Sequence, residues 1–216
     1  QFSFPQFLGP TRDCKTPGPK LIADWESNPP EQMWRQDIGA AWSGFVVSAN
    51  RAITQEQRDE NEIVSCYELL TGKMLWMHSN PGRYDTKIAG EGPRATPTIH
   101  EKNVYALGAT GILNCLELET GKPVWQRNIA SDAGLENDDE VDQTGASKKR
   151  NKAKEWGYSS SPLILEGKAI VSAGGESGKS LLAYNLDSGE PVWSGGNSRA
   201  GYSSAHTATI HGEEQV

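Results

Sequence analysis

Short runs of alternating apolar and polar residues recur along the chain, and three of them end in nearly the same eleven residues. The copies are CYELLTGKMLW at 66–76, CLELETGKPVW at 115–125 and AYNLDSGEPVW at 183–193. Alternation over four to eight residues is typical of a half-buried strand. A Thr-Gly or Ser-Gly pair between two such runs predicts a tight turn. Each copy therefore predicts a strand, a turn and a second strand that carries a tryptophan.

Two further strand-like runs precede each copy, so that every repeat contains four short strands. These upstream runs are 45–48, 51–54, 98–100, 104–107, 163–165 and 169–172. Four strands in a repeated unit are the content of one propeller blade. The sequence therefore predicts an all-β fold, a β-propeller built from four-stranded antiparallel blades.

The glycine and the tryptophan of each copy have structural explanations. A wide indole ring on the outer strand of a blade fits against the neighbouring blade, where its N–H finds a backbone carbonyl. The glycine allows the positive φ that the turn requires. We therefore predict structural roles for Gly72, Trp76, Gly121, Trp125, Gly189 and Trp193.

Three further segments complete a resemblance to a known family. They are FPQFLGPTRD at 4–13, GPRATPTI at 92–99 and WGYSSSPL at 156–163. Together with the spacing Thr-Gly-Lys-x-x-Trp, they resemble the tryptophan-docking repeats of PQQ-like (pyrroloquinoline quinone repeat) β-propellers. They are most similar to the exported members described as like the outer-membrane-protein assembly lipoprotein. The resemblance implies a periplasmic or otherwise exported protein whose signal peptide has been removed.

Length sets an expectation about domain organisation. Propellers usually close with 4–8 blades, whereas this chain holds three complete units, so we expect residues 1–216 to be a partial propeller from a 7- or 8-bladed protein. Residues 1–34 are interpreted as an N-terminal arm and closing strand, with Trp34 on that strand. Residues 131–155 are interpreted as a charged, solvated loop insertion. Residues 202–216 are interpreted as the start of a fourth blade.

Charge and cysteine content exclude some function classes. A net charge of −7 makes nucleic acid an unsuitable partner, and no apolar run approaches the 18 residues of a membrane span. Three cysteines without a Cys-x-x-Cys pair leave the compartment open. We expect Cys66 and Cys115 to be buried small hydrophobes, and Cys14 to be a free thiol.

Two apparent motifs do not support ligand sites. Asp138, Glu140 and Asp142 have the first spacings of a calcium loop, but Gln143 and Lys149 replace its glycine and its final glutamate. We therefore predict no metal site. The segment AGGESGKS at 173–180 fits a loose phosphate-loop pattern, but a strand rather than a helix is predicted after it. We interpret this segment as a hairpin turn.

No hydrolase elbow, zinc-protease motif or haem-attachment motif occurs in the chain, so no catalytic residue is predicted. We expect a non-catalytic PQQ-like propeller that acts as a protein, peptide or glycan binding scaffold in the cell envelope, without a cofactor. The alternative is part of a PQQ-dependent alcohol or sugar dehydrogenase that uses PQQ and calcium. The resemblance implies adjacent cysteines in such enzymes, and the chain has no such pair.

The predicted binding surface lies on the loops that vary in length between repeats. These loops precede the innermost strands and therefore converge on the axial mouth of a propeller. Their candidate ligand-binding residues are Trp42, Tyr84, Glu91, Arg94, Trp156, Tyr158 and Tyr202. The alternative, left open by the sequence, is that the rings pack the mouth and that Arg94 satisfies backbone carbonyls.

Overall fold

A computed structural model describes residues 3–18, 20–135, 156–199 and 201–216. Three four-stranded antiparallel sheets contain most of the strand residues, and consecutive strands are neighbours within each sheet. This meander follows from the short turns, because a chain that reverses after two to five residues pairs each strand with the next. The prediction of an all-β fold with propeller-type blades is confirmed.

The three blades have the same strand order. Blade 1 contains β1 (Val46–Ser48), β2 (Arg51–Arg58), β3 (Asn61–Glu68) and β4 (Met74–Pro81). Blade 2 contains β7 (Thr98–His100), β8 (Asn103–Leu107), β9 (Ile112–Glu117) and β10 (Pro123–Asn128). Blade 3 contains β11 (Leu163–Leu165), β12 (Lys168–Gly175), β13 (Lys179–Asn185) and β14 (Pro191–Gly195). The first strands of successive blades contact one another, which places them around the axis.

Two short hairpins lie outside the three blades. β5 (Asp85–Thr86) and β6 (Gly90–Glu91) form a small hairpin between blades 1 and 2. β15 (Ala208–Ile210) and β16 (Glu213–Gln215) pair near the end of the chain, where we predict the start of a fourth blade. The segment AGGESGKS joins β12 to β13 as a hairpin, in agreement with the sequence interpretation.

The apolar core lies between the blades. One cluster joins Val46, Ile53 and Val64 of blade 1 to Val104 and Leu116 of blade 2. A second cluster joins blades 2 and 3 and contains the buried Trp125. Both faces of blade 2 are therefore covered, which explains why the buried residues of β8 are continuous rather than alternating.

Two tryptophans of the repeat, Trp76 and Trp125, contact the turn of the following blade. The indole N–H of Trp76 donates to the carbonyl of Leu118 (2.9 Å), and Trp125 donates to Leu186 (2.8 Å). The accepting residue always stands three positions before the turn glycine. The glycines of these turns adopt positive φ, +70° at both Gly121 and Gly189.

Trp34 makes the same contact without the predicted strand. Its N–H donates to Leu69 (2.8 Å), and its ring lies over Gly72. Residues 31–39, however, form no regular element. The interpretation of Trp34 as part of a closing strand is therefore wrong in its secondary structure, because the side chain docks by itself from an extended segment.

The first part of the predicted charged insertion is helical. Helix α1 (Ile129–Ala133) begins after Asn128, whose side chain accepts hydrogen bonds from two backbone N–H groups of the first turn. The helix ends at Gly134, which adopts positive φ, and its Ile129 and Ala133 are buried. Residues 131–135 are thus not a solvated excursion. The candidate calcium residues Asp138, Glu140 and Asp142 lie outside the described residues.

The N-terminal arm follows the axial ends of the blades. Phe4 pairs with Val47 through two backbone hydrogen bonds of 2.8 Å, and the N–H of Ile99 donates to the carbonyl of Pro5 (2.7 Å). The arm therefore covers the innermost strands of blades 1 and 2. It continues to Arg12, which is buried against blade 3.

Candidate functional site

A chain of hydrogen bonds links the entries of successive blades at the axial mouth. The backbone N–H of Gly44 donates to Thr96 Oγ1 (3.2 Å), and that of Thr96 donates to Ser161 Oγ (2.9 Å). The N–H of Ser161 donates in turn to Ser204 Oγ (2.9 Å). These bonds hold the entering loops in register. The sequence analysis missed this series of hydrogen bonds, although a serine or threonine recurs just before the first strand of each repeat.

Arg94 occupies the middle of this mouth and binds its loops together. Its Nε donates to the Trp156 carbonyl (2.6 Å), and its guanidinium carbon lies 4.8 Å from the centre of the Tyr84 ring. The remaining acceptors are the backbone carbonyls of Ala89, Gly90 and Gly92. The sequence left open whether Arg94 binds a ligand or satisfies backbone carbonyls. In the structure, Arg94 contacts backbone carbonyls.

Three of the seven candidate residues present aromatic rings to solvent at this mouth. Trp42 is 69% exposed, Trp156 39% and Tyr202 40%. The rings of Trp156 and Tyr202 are stacked, with centroids 5.1 Å apart and planes 23° apart. Trp42 lies against Gly90, whose ideal Cβ position is 3.0 Å from the indole nitrogen. The mouth thus brings together aromatic residues from three different loops.

Tyr84 and Tyr158 are also brought to the mouth, but they are buried. Only 7% of Tyr84 and 3% of Tyr158 is accessible. The Tyr158 ring lies over Gly111, where a Cβ atom would approach within 2.8 Å. Tyr84 packs against Gly157 in the same way, at 3.1 Å. Both rings fill the spaces left by glycines, so they support the loops and are not presented to a ligand.

Glu91 lies at the edge of the mouth in β6. Its carboxylate forms an ion pair with Arg83 (2.5 Å), and Arg83 also approaches Asp85 (3.7 Å). The three residues fasten the β5–β6 hairpin. The charge of Glu91 is therefore already paired within the chain.

A buried carboxylate lies beneath the mouth and was not singled out from the sequence. Glu62 accepts hydrogen bonds from the backbone N–H groups of Ala109 (2.6 Å) and Thr110 (3.3 Å) and from the Thr110 hydroxyl. Burial raises the pKa of Glu62, although these hydrogen bonds and the charge of Arg94 oppose the shift. Glu62 thus ties β3 of blade 1 to the turn after β8.

An open cavity of about 410 Å³ borders Tyr202, between the N-terminal arm and the entries of blade 3 and the following unit. Arg12 lies on its wall and is 4% exposed. The guanidinium of Arg12 donates to the carbonyls of Pro162 (3.0 Å), Ser161 (3.2 Å) and Ala205 (3.0 Å). The cavity is therefore formed by the arm as much as by the blades.

The described ranges contain no group of three His, Cys, Asp or Glu side chains placed to hold a metal ion. Cys66 and Cys115 are buried free thiols, and burial raises the pKa of each to about 12. Over the same ranges, no helix is both long enough and apolar enough to cross a membrane.

Comparison with known proteins decides the family. The family described as "Outer membrane protein assembly factor BamB" matches residues 16–154, which is more than half of the chain. The chain belongs to the BamB family of PQQ-like propellers. The resemblance stated from the sequence is therefore confirmed.

One relative in the BamB family is the outer membrane protein assembly factor BamB of Moranella endobia (strain PCIT). It is 29% identical over 149 residues, which cover 62% of this chain and 38% of that protein. The chain thus spans well under half of the length of this relative.

Two solved structures have limited similarity to this chain. BamB from Moraxella catarrhalis has 14% identity and a TM-score of 0.41, over 72% of this chain and 51% of that one. Quinohemoprotein alcohol dehydrogenase from Comamonas testosteroni has 20% identity and a TM-score of 0.47, over 72% of this chain and 21% of that one. At this level of similarity, neither structure bears on function.

Proposed function

We propose that the chain is a non-catalytic PQQ-like propeller that binds a protein partner in outer membrane assembly through its axial mouth. The observation that carries this proposal is the set of exposed rings of Trp42, Trp156 and Tyr202, which share one rim. Exposed aromatic side chains on a rigid frame are typical anchors of protein interfaces. The family, described as outer membrane protein assembly factor BamB, supplies the biological context.

The frame beneath these rings supports such a role. Arg94 fixes the loop that carries Trp156 and the loop at 89–92 in one arrangement. A surface that is already ordered loses less conformational entropy on binding. The mouth therefore offers a partner aromatic area without a large ordering cost.

We propose a protein partner before a peptide or a glycan because the exposed rings come from separate loops. Trp42 precedes blade 1, whereas Trp156 and Tyr202 precede blade 3 and the unit after it. Rings from three loops offer a broader surface than a single pocket does, and a folded partner covers such a surface more completely than a short ligand does. A periplasmic or otherwise exported location is part of the same proposal.

Site-specific photo-crosslinking in cells tests this function. A photoreactive phenylalanine analogue at position 42 or 156 should form crosslinks to an envelope protein. The same analogue at Leu75 or Val124, which are exposed on outer strands, serves as the matched control. Equal crosslinking at mouth and control positions would contradict the assignment.

The crosslinked partner then provides a quantitative test. Trp42→Ser and Trp156→Ser should each weaken binding of the purified partner by about tenfold or more in calorimetry, as loss of an aromatic anchor does. Both side chains are exposed, so the unfolding midpoint should stay unchanged. Unchanged affinity in both variants would exclude this surface.

A further inference from the structure

The cavity beside Tyr202 has a charge that differs from the rest of the chain. Two arginines, Arg12 and Arg94, and one histidine, His206, contribute to its walls. Among the described residues, no Asp or Glu lines it. The chain as a whole carries a net charge of −7. A positive, acid-free cavity in an acidic protein indicates a preference for anions.

Arg12 is a buried cation without an acidic partner in the described part of the chain. Its guanidinium donates only to neutral oxygens, those of three backbone carbonyls and of the Gln6 side chain (3.3 Å). Burial lowers the pKa of Arg12 to about 10. A buried charge that lacks a counter-ion is costly, and a bound anion would reduce that cost.

Arg94 adds a second positive charge at the edge of the same cavity. Burial also lowers the pKa of Arg94, while the charge of Glu62 opposes this shift. Most of its N–H groups already donate to backbone carbonyls. The two guanidiniums therefore contribute mainly through their charge.

Hydroxyl groups supply the directional donors. Ser203 is exposed on the cavity wall, and Ser204 accepts a hydrogen bond from Ser161, which leaves its own O–H to donate. Phe7, Leu8 and Tyr202 form an apolar side of the same cavity. The combination suits a small anionic group attached to an apolar body.

We propose that this cavity binds the carboxylate of an organic acid, with its apolar body against Phe7 and Tyr202. A carboxylate suits the few available donors better than a phosphate, whose greater charge and larger number of oxygens demand more. The carboxylate belongs either to a free small acid or to the C-terminus of a peptide. This site shares Tyr202 and Arg94 with the proposed protein-binding rim, but binding of an anion here does not require a protein partner.

Calorimetry on the intact protein compares an acid with its uncharged analogue. 3-Phenylpropionate should bind at least about tenfold more tightly than 3-phenylpropionamide, because a charge-assisted hydrogen bond contributes more than a neutral one. Its affinity should also fall as salt is added. Equal binding of acid and amide, or binding of inorganic phosphate alone, would overturn the proposal.

A short peptide, acetyl-tetra-alanine, separates the two sources. Tighter binding of its free acid than of 3-phenylpropionate would assign the site to a peptide C-terminus. Weaker binding would assign the site to a small acid.

Substitution of Ser203 tests the location without disturbing the core. Ser203→Asp places a carboxylate beside the two arginines, so it should reduce the affinity for 3-phenylpropionate by about tenfold or more. The unfolding midpoint should not fall, because Ser203 is exposed and the new charge meets positive groups. Ser194→Asp changes an exposed serine on β14, outside the cavity, and should leave binding unchanged. Unchanged binding in Ser203→Asp would refute this location.

Discussion

The indole ring of Trp76 lies directly over Gly121 in the turn of the next blade. A Cβ atom at Gly121 would fall 2.6 Å from Trp76 Cδ2. The same distance, 2.6 Å, separates the corresponding Cβ position of Gly189 from Trp125. The turn glycine is therefore needed twice, for its positive φ and for the absence of a side chain under the ring.

Comparison of Gly121→Ala with Gly167→Ala separates the effect of positive φ from the effect of a side chain under the ring. Both glycines have φ near +70°, but a Cβ at Gly167 would meet nothing within 4 Å. Gly167→Ala should therefore cost only the backbone strain, about 1–3 kcal/mol. Gly121→Ala should cost a further 1–3 kcal/mol or so, because the ring of Trp76 must move. Chemical denaturation measures both values, and equal losses would refute the ring contact.

Truncation of the ring tests the same interface from the other side. Trp125→Ala should lower the free energy of unfolding by about 3–5 kcal/mol, as the loss of a large buried aromatic does. Trp25 is 58% exposed, so Trp25→Ala should change stability by less than about 0.5 kcal/mol. A loss under about 1 kcal/mol for Trp125→Ala would mean that the ring does not hold the blades together.

The repeats made the blades predictable, because alternation, turn residues and tryptophan spacing are all local signals. The sequence predicted that Trp34 belongs to the series of repeat tryptophans, but it did not predict that the surrounding residues form no strand. Its side chain carries the whole interaction, so no strand is required. Likewise, nothing in the charge pattern of 131–155 shows that Ile129 and Ala133 bury one side of a short helix.

The sequence predicted where the candidate site lies, but it did not predict which of its side chains are exposed. The seven residues come together because their loops precede the innermost strands. Which rings are exposed depends on glycines elsewhere in the chain, such as Gly111 beneath Tyr158. The role of Arg12 depends on contacts with residues about 150 positions away, and no local pattern encodes those contacts.

The proposed non-catalytic function makes a negative prediction that is easily measured. Addition of PQQ and calcium to the purified protein should produce no change in the quinone absorbance and no reduction of a redox dye by alcohols or sugars. A quinone-dependent dehydrogenase assayed in parallel serves as the positive control. Substrate-dependent dye reduction would favour the dehydrogenase alternative.

The hydrogen-bond chain at the mouth predicts a selective effect of hydroxyl removal. Ser161 is buried, and its hydroxyl accepts from the N–H of Thr96. Ser161→Ala leaves that N–H unsatisfied and should cost about 1–3 kcal/mol in the free energy of unfolding. Ser194→Ala removes an exposed hydroxyl on β14 and should stay within about 0.5 kcal/mol. Equal effects of the two substitutions would show that this series of hydrogen bonds does not contribute to stability.

Two buried glutamates in blade 1 give stability opposite dependences on pH. At Glu56, burial acts to raise the pKa, but hydrogen bonds from Arg58, Gly39 and Ser65 outweigh it and leave the pKa lowered. Its contribution is therefore present above the unfolded pKa, about 4.3, and is lost as the pH falls through the folded value. Glu56 accounts for part of the expected loss of stability in acid.

Glu62 acts in the other direction because its pKa is raised in the folded protein. Between the unfolded value, about 4.3, and the raised folded value, the folded state binds more protons than the unfolded chain. The free energy of unfolding should therefore decrease as the pH rises through this interval, with a slope that cannot exceed about 1.4 kcal/mol per pH unit for one proton. Glu62→Gln should remove this contribution to the slope, whereas Glu60→Gln, at an exposed turn, should leave it in place. Denaturation of the parent and the two variants at several pH values measures the slope of the unfolding free energy against pH. The same slope in Glu62→Gln as in the parent would show that the pKa of Glu62 does not change on folding.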